Sequence, residues 1–222
     1  MTELTNWLSF MTENGALVFR LSMLHLLLVF TSSMLAIAIA FPAAIWSTRK
    51  ANLPWKGIVM MLANGLQAIP TLAVIGIASA LFALVGQGVG WWPALAALMA
   101  YSILPILANS IAGLSAVPSA SKRAAAGLGM SGRDVLRQVE IPLALPLVFA
   151  GIRTATVINI GTAALAAAIG AECLGGLIFQ GIAVGNINLI LAGAVPTALL
   201  AVFVDRGLGA VERLLLSREA VA

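Results

Sequence analysis

The sequence predicts an all-α integral membrane protein of about five transmembrane helices, amino terminus outside and carboxyl terminus inside, with a two-helix loop on the cytoplasmic face. Three observations predict it. The mean hydropathy is +1.06 with 9% charged residues, where a soluble domain carries about 25%. Charges are absent from Leu21 to Thr48, Gly57 to Ser121, Thr154 to Ala171 and Cys173 to Val204. The basic residues lie almost entirely on one side of the resulting spans.

A spanning helix needs roughly 20 apolar residues. The first and last charge-free stretches hold one span each, and the second is long enough for two. The third becomes a span with its lead-in from Leu143, Arg153 being its one charge. The first stretch reads as a retained span, because Glu3 and Glu13 replace the positive leader of a secretory signal. Alternate connections then put Arg49, Lys50, Lys56, Lys122, Arg123, Arg133, Arg137, Arg206, Arg213 and Arg218 on one side. Arg20, Glu3, Glu13 and Glu172 fall on the other. Basic loops stay in the cytoplasm, and Trp46, Trp55, Trp91 and Trp92 at span ends suit an interfacial belt. The net charge of +4 thus reflects topology and gives no reason to propose nucleic acid. Residues 1–20 form an external segment, 21–216 one membrane domain, and 217–222 a cytoplasmic tail.

The loop at about 116–142 holds six charges, whose burial would cost on the order of 15–20 kcal/mol. Pro118–Ser119 predicts a serine-capped helix stopped by Gly127 and Gly129. Ser131-Gly132-Arg133-Asp134 is the S-x-x-D start of a second helix, which Pro142 should end. Small residues at the bend would let another protein's surface approach the backbone; an amphipathic loop resting on lipid headgroups fits equally well.

Polar residues inside spans should face protein or water. They are Asn64, Gln67, Pro70 and Thr71 in span two, and Asn109 and Ser110 in span three. In span four Arg153, Thr156, Asn159 and Thr162 fall at steps of three, beside small residues from Gly161 to Gly170. Two readings stand: hydrogen-bonded glue between helices, or the lining of a path by Asn64, Gln67, Pro70, Asn109, Thr156, Asn159 and Thr162. Pro70 should kink its helix. Between Glu172 and Ile187 the chain is too glycine-rich for a sixth span and suggests a short re-entrant or surface helix.

Several chemistries find no support. The lone Cys173 excludes an internal disulfide and a multi-cysteine metal site, and no metal ligands are expected. His25 reads as a packed or interfacial histidine, without a serine patterned as its nucleophile, which argues against an intramembrane hydrolase. A self-sufficient channel or secondary carrier would predict inverted repeats or intramembrane carboxylates. No G-x-x-x-x-G-K-[ST] loop is present, so this chain does not hydrolyse ATP alone. Gly86, Gly88 and Gly90 lack the strand and acidic partner of a dinucleotide loop.

The stretch SKRAAAGLGMSGRDVLRQVEIPLALP resembles the EAA loop of ABC-importer permeases. Ala124 and Ala125 match the two alanines and Gly129 the glycine; Ile141–Pro142 and Leu145–Pro146 stand at the closing apolar-proline pairs. Arg123 occupies the glutamate position and reverses the local charge. HLLLVFTSSMLAIAIAFPAAIW, QAIPTLAVIGI, YSILPILANSIAGL and the run through GIRTA to GGLIFQGI resemble permeases of glycine betaine, carnitine and choline importers.

The resemblance implies an ABC type I importer transmembrane domain in the bacterial cytoplasmic membrane. It implies pairing with a second permease subunit, identical or homologous, two cytoplasmic ABC ATPases and an extracytoplasmic solute-binding protein. ATP and Mg would sit on the ATPases, with no cofactor bound by this chain. The loop residues Arg123, Ala124, Ala125, Gly127, Gly129, Met130, Ser131 and Arg133 would couple to the ATPase, and Glu172 would touch the binding protein or a cationic substrate. The substrate class implied is a quaternary ammonium osmoprotectant; another small solute such as ergothioneine or an amino acid is the alternative.

Overall fold

The computed structural model describes residues 2–49 and 52–219; Lys50 and the last residues of the tail, 220–222, lie outside them. Helices α1 (Thr2–Glu13), α2 (Gly15–Ser47), α3 (Leu53–Ala68), α4 (Thr71–Ala83) and α5 (Trp91–Ala116) make up the first half. Helices α6 (Ser119–Gly127), α7 (Gly132–Val135), α8 (Ile141–Ala163), α9 (Gly175–Val184) and α10 (Ile187–Glu219) follow. Four helical runs are long and apolar enough to cross a membrane: α2, α5, Gly132–Ile169 and α10. The helices α3 and α4 are apolar and long enough only when taken together, and they are bent by 99° at the break, as in a broken span or a re-entrant loop.

That bend is sharper than the kink the sequence predicts, and its cause is local. Pro70 has no N–H to donate, and its ring forces Ile69 out of the helical region, to φ −76° and ψ 131°. The freed Ile69 carbonyl accepts the hydroxyl of Tyr101, the chain's single tyrosine, from α5. The carbonyl exposed by the break therefore keeps a partner.

Helices α2, α5 and α8 form the centre. Ala36, Ala40 and Ala44 pack against Ile106, Ile111 and Leu114 of α5 and against Ala144 and Val148 of α8. Small residues let these backbones approach closely, as association in lipid requires. The closest approach is antiparallel: a Cβ on Gly113 would lie 2.8 Å from the Ala144 carbonyl, and one on Gly151 2.8 Å from the Pro105 carbonyl. Outside, α2 exposes Phe19, Met23, Leu27, Phe30 and Met34 as one continuous apolar stripe. Such a surface is stable only against lipid or another apolar chain.

Three expectations are corrected. Pro142 does not end the second loop helix: α7 continues through a π-helical turn, Leu136–Glu140, into α8. The Ile141 N–H reaches back to the Leu136 carbonyl, and Pro142 sits in the first turn of α8, where its missing donor is tolerated. Ser119 is the first residue of α6, not its cap; Pro118 holds the cap position. Trp91 packs partly buried among Ala94, Leu95 and Leu98, so the belt reduces to Trp46, Trp55 and Trp92, each about half exposed. The glycine-rich segment between Glu172 and Ile187 forms a short helix, α9, which runs antiparallel along the first turns of α10 with Gly181 against Ile190 and Gly193 against Ile178.

Candidate coupling surface and intramembrane polar groups

The turn after α6 is built on one glycine. The Gly129 N–H donates to the Ala126 carbonyl at 3.0 Å and the Met130 N–H to the Ala125 carbonyl at 3.2 Å. This is the double bond pattern of a Schellman stop, which needs a left-handed residue between its donors. Gly129 supplies it with φ +84°. Gly127 is the last helical residue and has ordinary φ. Ser131 then caps α7: its Oγ accepts the Asp134 N–H at 3.3 Å, and the Asp134 carboxylate accepts the Ser131 N–H at 3.1 Å. This reciprocal box is the one its S-x-x-D spelling predicts.

Of the residues expected to couple, Arg123, Ala124, Gly127, Gly129, Ser131 and Arg133 are exposed and Met130 half-buried, whereas Ala125 turns inward. Arg123 donates from Nη1 to Ser119 Oγ at 3.2 Å, within its own helix. The sequence reading missed Leu128, 85% exposed at the tip. A leucine flanked by two glycines in a charged loop was the signal.

Where α6 meets the start of α8 lies a second residue that the sequence reading passed over. Glu140, at the end of the π turn, is buried and accepts from Arg49 Nη2 at 2.5 Å, with Lys122 Nζ at 3.6 Å. These cations come from the end of α2 and from α6.

The polar residues of the spans divide into two groups. On α3, Asn64 is exposed, and Gln67 is half-buried with its Nε2 donating to the Tyr101 carbonyl at 3.3 Å; Pro70 is exposed at the break. Asn109 is half-buried and donates to the Pro105 carbonyl at 2.8 Å. On α8 the picture reverses. Asn159 is fully buried, its Nδ2 donating to Ser32 Oγ at 3.0 Å and Ser102 Oγ at 2.6 Å, so it joins α2, α5 and α8. Thr156, 2% exposed, donates to the Ile152 carbonyl, and the half-buried Thr162 to that of Ile158. Asn159 therefore bonds between helices, whereas the bonds of Thr156 and Thr162 to carbonyls stay within α8.

Arg153 does not continue that stripe. It faces α10, where Asp205 takes Nε and Nη2 at 2.6 and 2.8 Å and Glu212 lies 3.7 Å from Nη1. A cavity of about 370 Å³ opens beside the cluster, lined by Ala150, Thr154, Val157 and Ile158. A lone arginine within an apolar span demands a partner, and Asp205, at the end of the last charge-free stretch, supplies it together with Glu212. At the other end, Glu172 pairs with Arg20 at 3.2 Å on an open surface. Next to it Cys173 is buried, and burial pushes its thiol pKa up.

Residues 36–217 match the family model described as binding-protein-dependent transport system inner membrane component. The osmoprotectant import permease protein OsmW of Salmonella typhimurium is 41% identical over 196 residues, covering 88% of this chain and 90% of that protein. OsmY of the same organism is 42% identical, covering 82% and 75%. The glycine betaine/carnitine/choline transport system permease protein OpuCB of Bacillus subtilis is 37% identical, covering 93% and 92%. Among solved structures, an inward-facing MetNI methionine ABC transporter superposes with a TM-score of 0.82 at 21% identity, covering 90% of this chain and 97% of that one. At that identity the likeness speaks for the fold.

Proposed function

This chain belongs to the family of binding-protein-dependent transport system inner membrane components, and from that premise we propose that it is the membrane-spanning permease subunit of an ATP-driven importer for quaternary ammonium osmoprotectants such as glycine betaine, choline or carnitine. Its fold is that of an ABC type I importer transmembrane domain. The observation that carries the substrate class is likeness over nearly the whole chain to permeases named for these solutes.

The division of labour follows from the chemistry. A permanently charged ammonium does not cross hydrocarbon unaided, and this chain has no phosphate-binding loop to energise its passage. The exposed turn from Arg123 to Arg133 is the surface offered to an ATPase, which holds ATP and Mg; a second permease subunit, a second ATPase and an extracytoplasmic binding protein complete the assembly. Asn64, Gln67 and Pro70 line the path, with Asn109 and Thr162 at its margin. Their mild polarity hydrates a cation without trapping it, so selection rests with the binding protein. Glu172 lies on the face offered to that protein.

The test is uptake of radiolabelled glycine betaine into proteoliposomes holding the permease, its ATPase and its binding protein. ATP-dependent uptake that vanishes without either partner is expected. Uptake that persists without the ATPase would overturn the proposal.

A further inference from the structure

Among the described residues Glu140 is the one Asp, Glu, Lys or Arg side chain that is buried, 6% exposed. Burying a carboxylate is costly unless it is paired, and a well-packed apolar residue would stabilise the same place as well or better. What an ion pair adds is registry between the segments that share it. The two oxygens go to different elements: Oε2 to Arg49 at the end of α2, Oε1 to Lys122 on α6. Lys122 also reaches the Leu114 carbonyl near the end of α5 at 3.5 Å. Glu140 itself ends the π turn through which the loop runs without a break into α8. A π turn carries one residue more than an α turn needs, and removing or restoring it shifts the helix by a discrete step. The end of α2, α6 and the start of α8 thus meet at one side chain, and Lys122 extends the contact to the end of α5.

We propose that Glu140 is the ionic node through which movement of α6 reaches the membrane-embedded helices. It is a positioning residue: it touches no substrate and no nucleotide, and it makes α6, the end of α2 and the start of α8 move as one body. The proposal rests on reading the turn as the ATPase dock and adds the residue that carries the push inward. Without the node, the ATPase would still bind and turn over, and α6 would swing without dragging α2 and α8.

The experiment measures radiolabelled glycine betaine uptake per ATP hydrolysed in proteoliposomes of the complete importer. Glu140→Gln keeps the shape and removes the charge; uptake per ATP should fall about two- to thirtyfold, the range by which residues along a coupling route act, while ATP hydrolysis continues. Lys122→Gln cuts the α6 arm together with the Lys122 contact to the Leu114 carbonyl, leaves Glu140 with Arg49, and should lower the same ratio. Arg49→Glu combined with Glu140→Arg should recover part of it, and the ratio is compared at equal amounts of assembled complex so that loss of a purely structural brace does not move it. In parallel, spin labels at Ile39→Cys on α2 and Ala126→Cys on α6 should keep one separation with and without nucleotide in the parent and spread apart or broaden in Glu140→Gln. An unchanged uptake ratio in Lys122→Gln with the complex assembled overturns the node, even if Glu140→Gln fails to assemble. Failure of the parent complex to take up glycine betaine with ATP strikes the proposed function instead, and the label separations then decide the node alone.

Discussion

Arg153 of α8 and Asp205 of α10 meet edge to edge, Nε to Oδ1 at 2.6 Å and Nη2 to Oδ2 at 2.8 Å. The forked geometry fixes both distance and rotation between the helices. Asp205, Gly209 and Glu212 share one face of α10, and a Cβ on Gly209 would lie 3.2 Å from Nη1. The fork therefore fastens α10 to α8. Asp205→Asn should lower the melting temperature in detergent, and Arg153→Asp with Asp205→Arg should restore part of the loss. Glu172→Gln is the control. It breaks a pair whose side chains are 60% and 63% exposed, which contributes less than about 1 kcal/mol. Equal shifts from Asp205→Asn and Glu172→Gln would refute the fastening.

Asn159 provides the second prediction. Its amide satisfies two buried serines on different helices, and in lipid no water replaces it. Asn159→Ala should cost roughly 1–2 kcal/mol and reduce the amount of assembled complex recovered by size exclusion. Uptake per assembled complex should stay unchanged. A fall in uptake at constant assembly would instead put Asn159 on the path.

Glycine positions separate close packing from open surface. A Cβ at Gly151 would fall 2.6 Å from Asn109 Cβ, whereas one at Gly161 meets nothing within 4 Å. Gly151→Ala should therefore destabilise by about 1–3 kcal/mol, while Gly161→Ala should be neutral or gain up to about 1 kcal/mol from helix propensity. Thermal melts of the two variants side by side check this.

The spans, their number and the loop were legible because lipid imposes a simple rule: charges lie outside, and apolar runs must be long enough to cross. The S-x-x-D cap was legible for the same local reason. What escaped was everything set by the rotation of one helix against another. Among the small residues of α8, Gly161 faces outward and Gly151 packs against α5, a difference that residue size does not reveal. Arg153 was read into a polar stripe although its partners come from α10. For Thr156 and Asn159 spacing left glue and path lining both open, because it does not reveal which face of α8 meets α2 and α5. The continuation through Pro142 was hidden because a π turn has no sequence signature, and Glu140 looked like one more loop charge.

Cys173 gives a labelling test of orientation. It is 1% exposed, its Sγ donates to the Ala163 carbonyl at 3.3 Å, and burial raises its thiol pKa. Less thiolate is present at neutral pH than for a free cysteine, so maleimide should react slowly with the folded parent chain and quickly once detergent unfolds it. Against that silent background, Glu172→Cys should label from outside intact cells with an impermeant maleimide. Leu128→Cys should label only after permeabilisation. The reverse pattern would invert the topology.

Gly129 and Gly127 differ by two positions and should differ in kind. Gly129 holds φ +84° with open space where a Cβ would go, so Gly129→Ala pays only the left-handed backbone penalty, about 1–2 kcal/mol. That is enough to loosen the Met130 to Ala125 and Gly129 to Ala126 bonds that set the turn. Gly127 is helical and unobstructed, so Gly127→Ala should leave the turn intact or firm it. Gly129→Ala should then lower glycine betaine uptake while ATP hydrolysis continues, and Gly129→Asp should lower it further by adding a carboxylate at the dock. If uptake also fails in Gly127→Ala with a melting temperature at or above that of the parent, the requirement at that position is a bare surface against the ATPase. If both alanine variants transport normally, the turn is not the site at which ATP hydrolysis is felt.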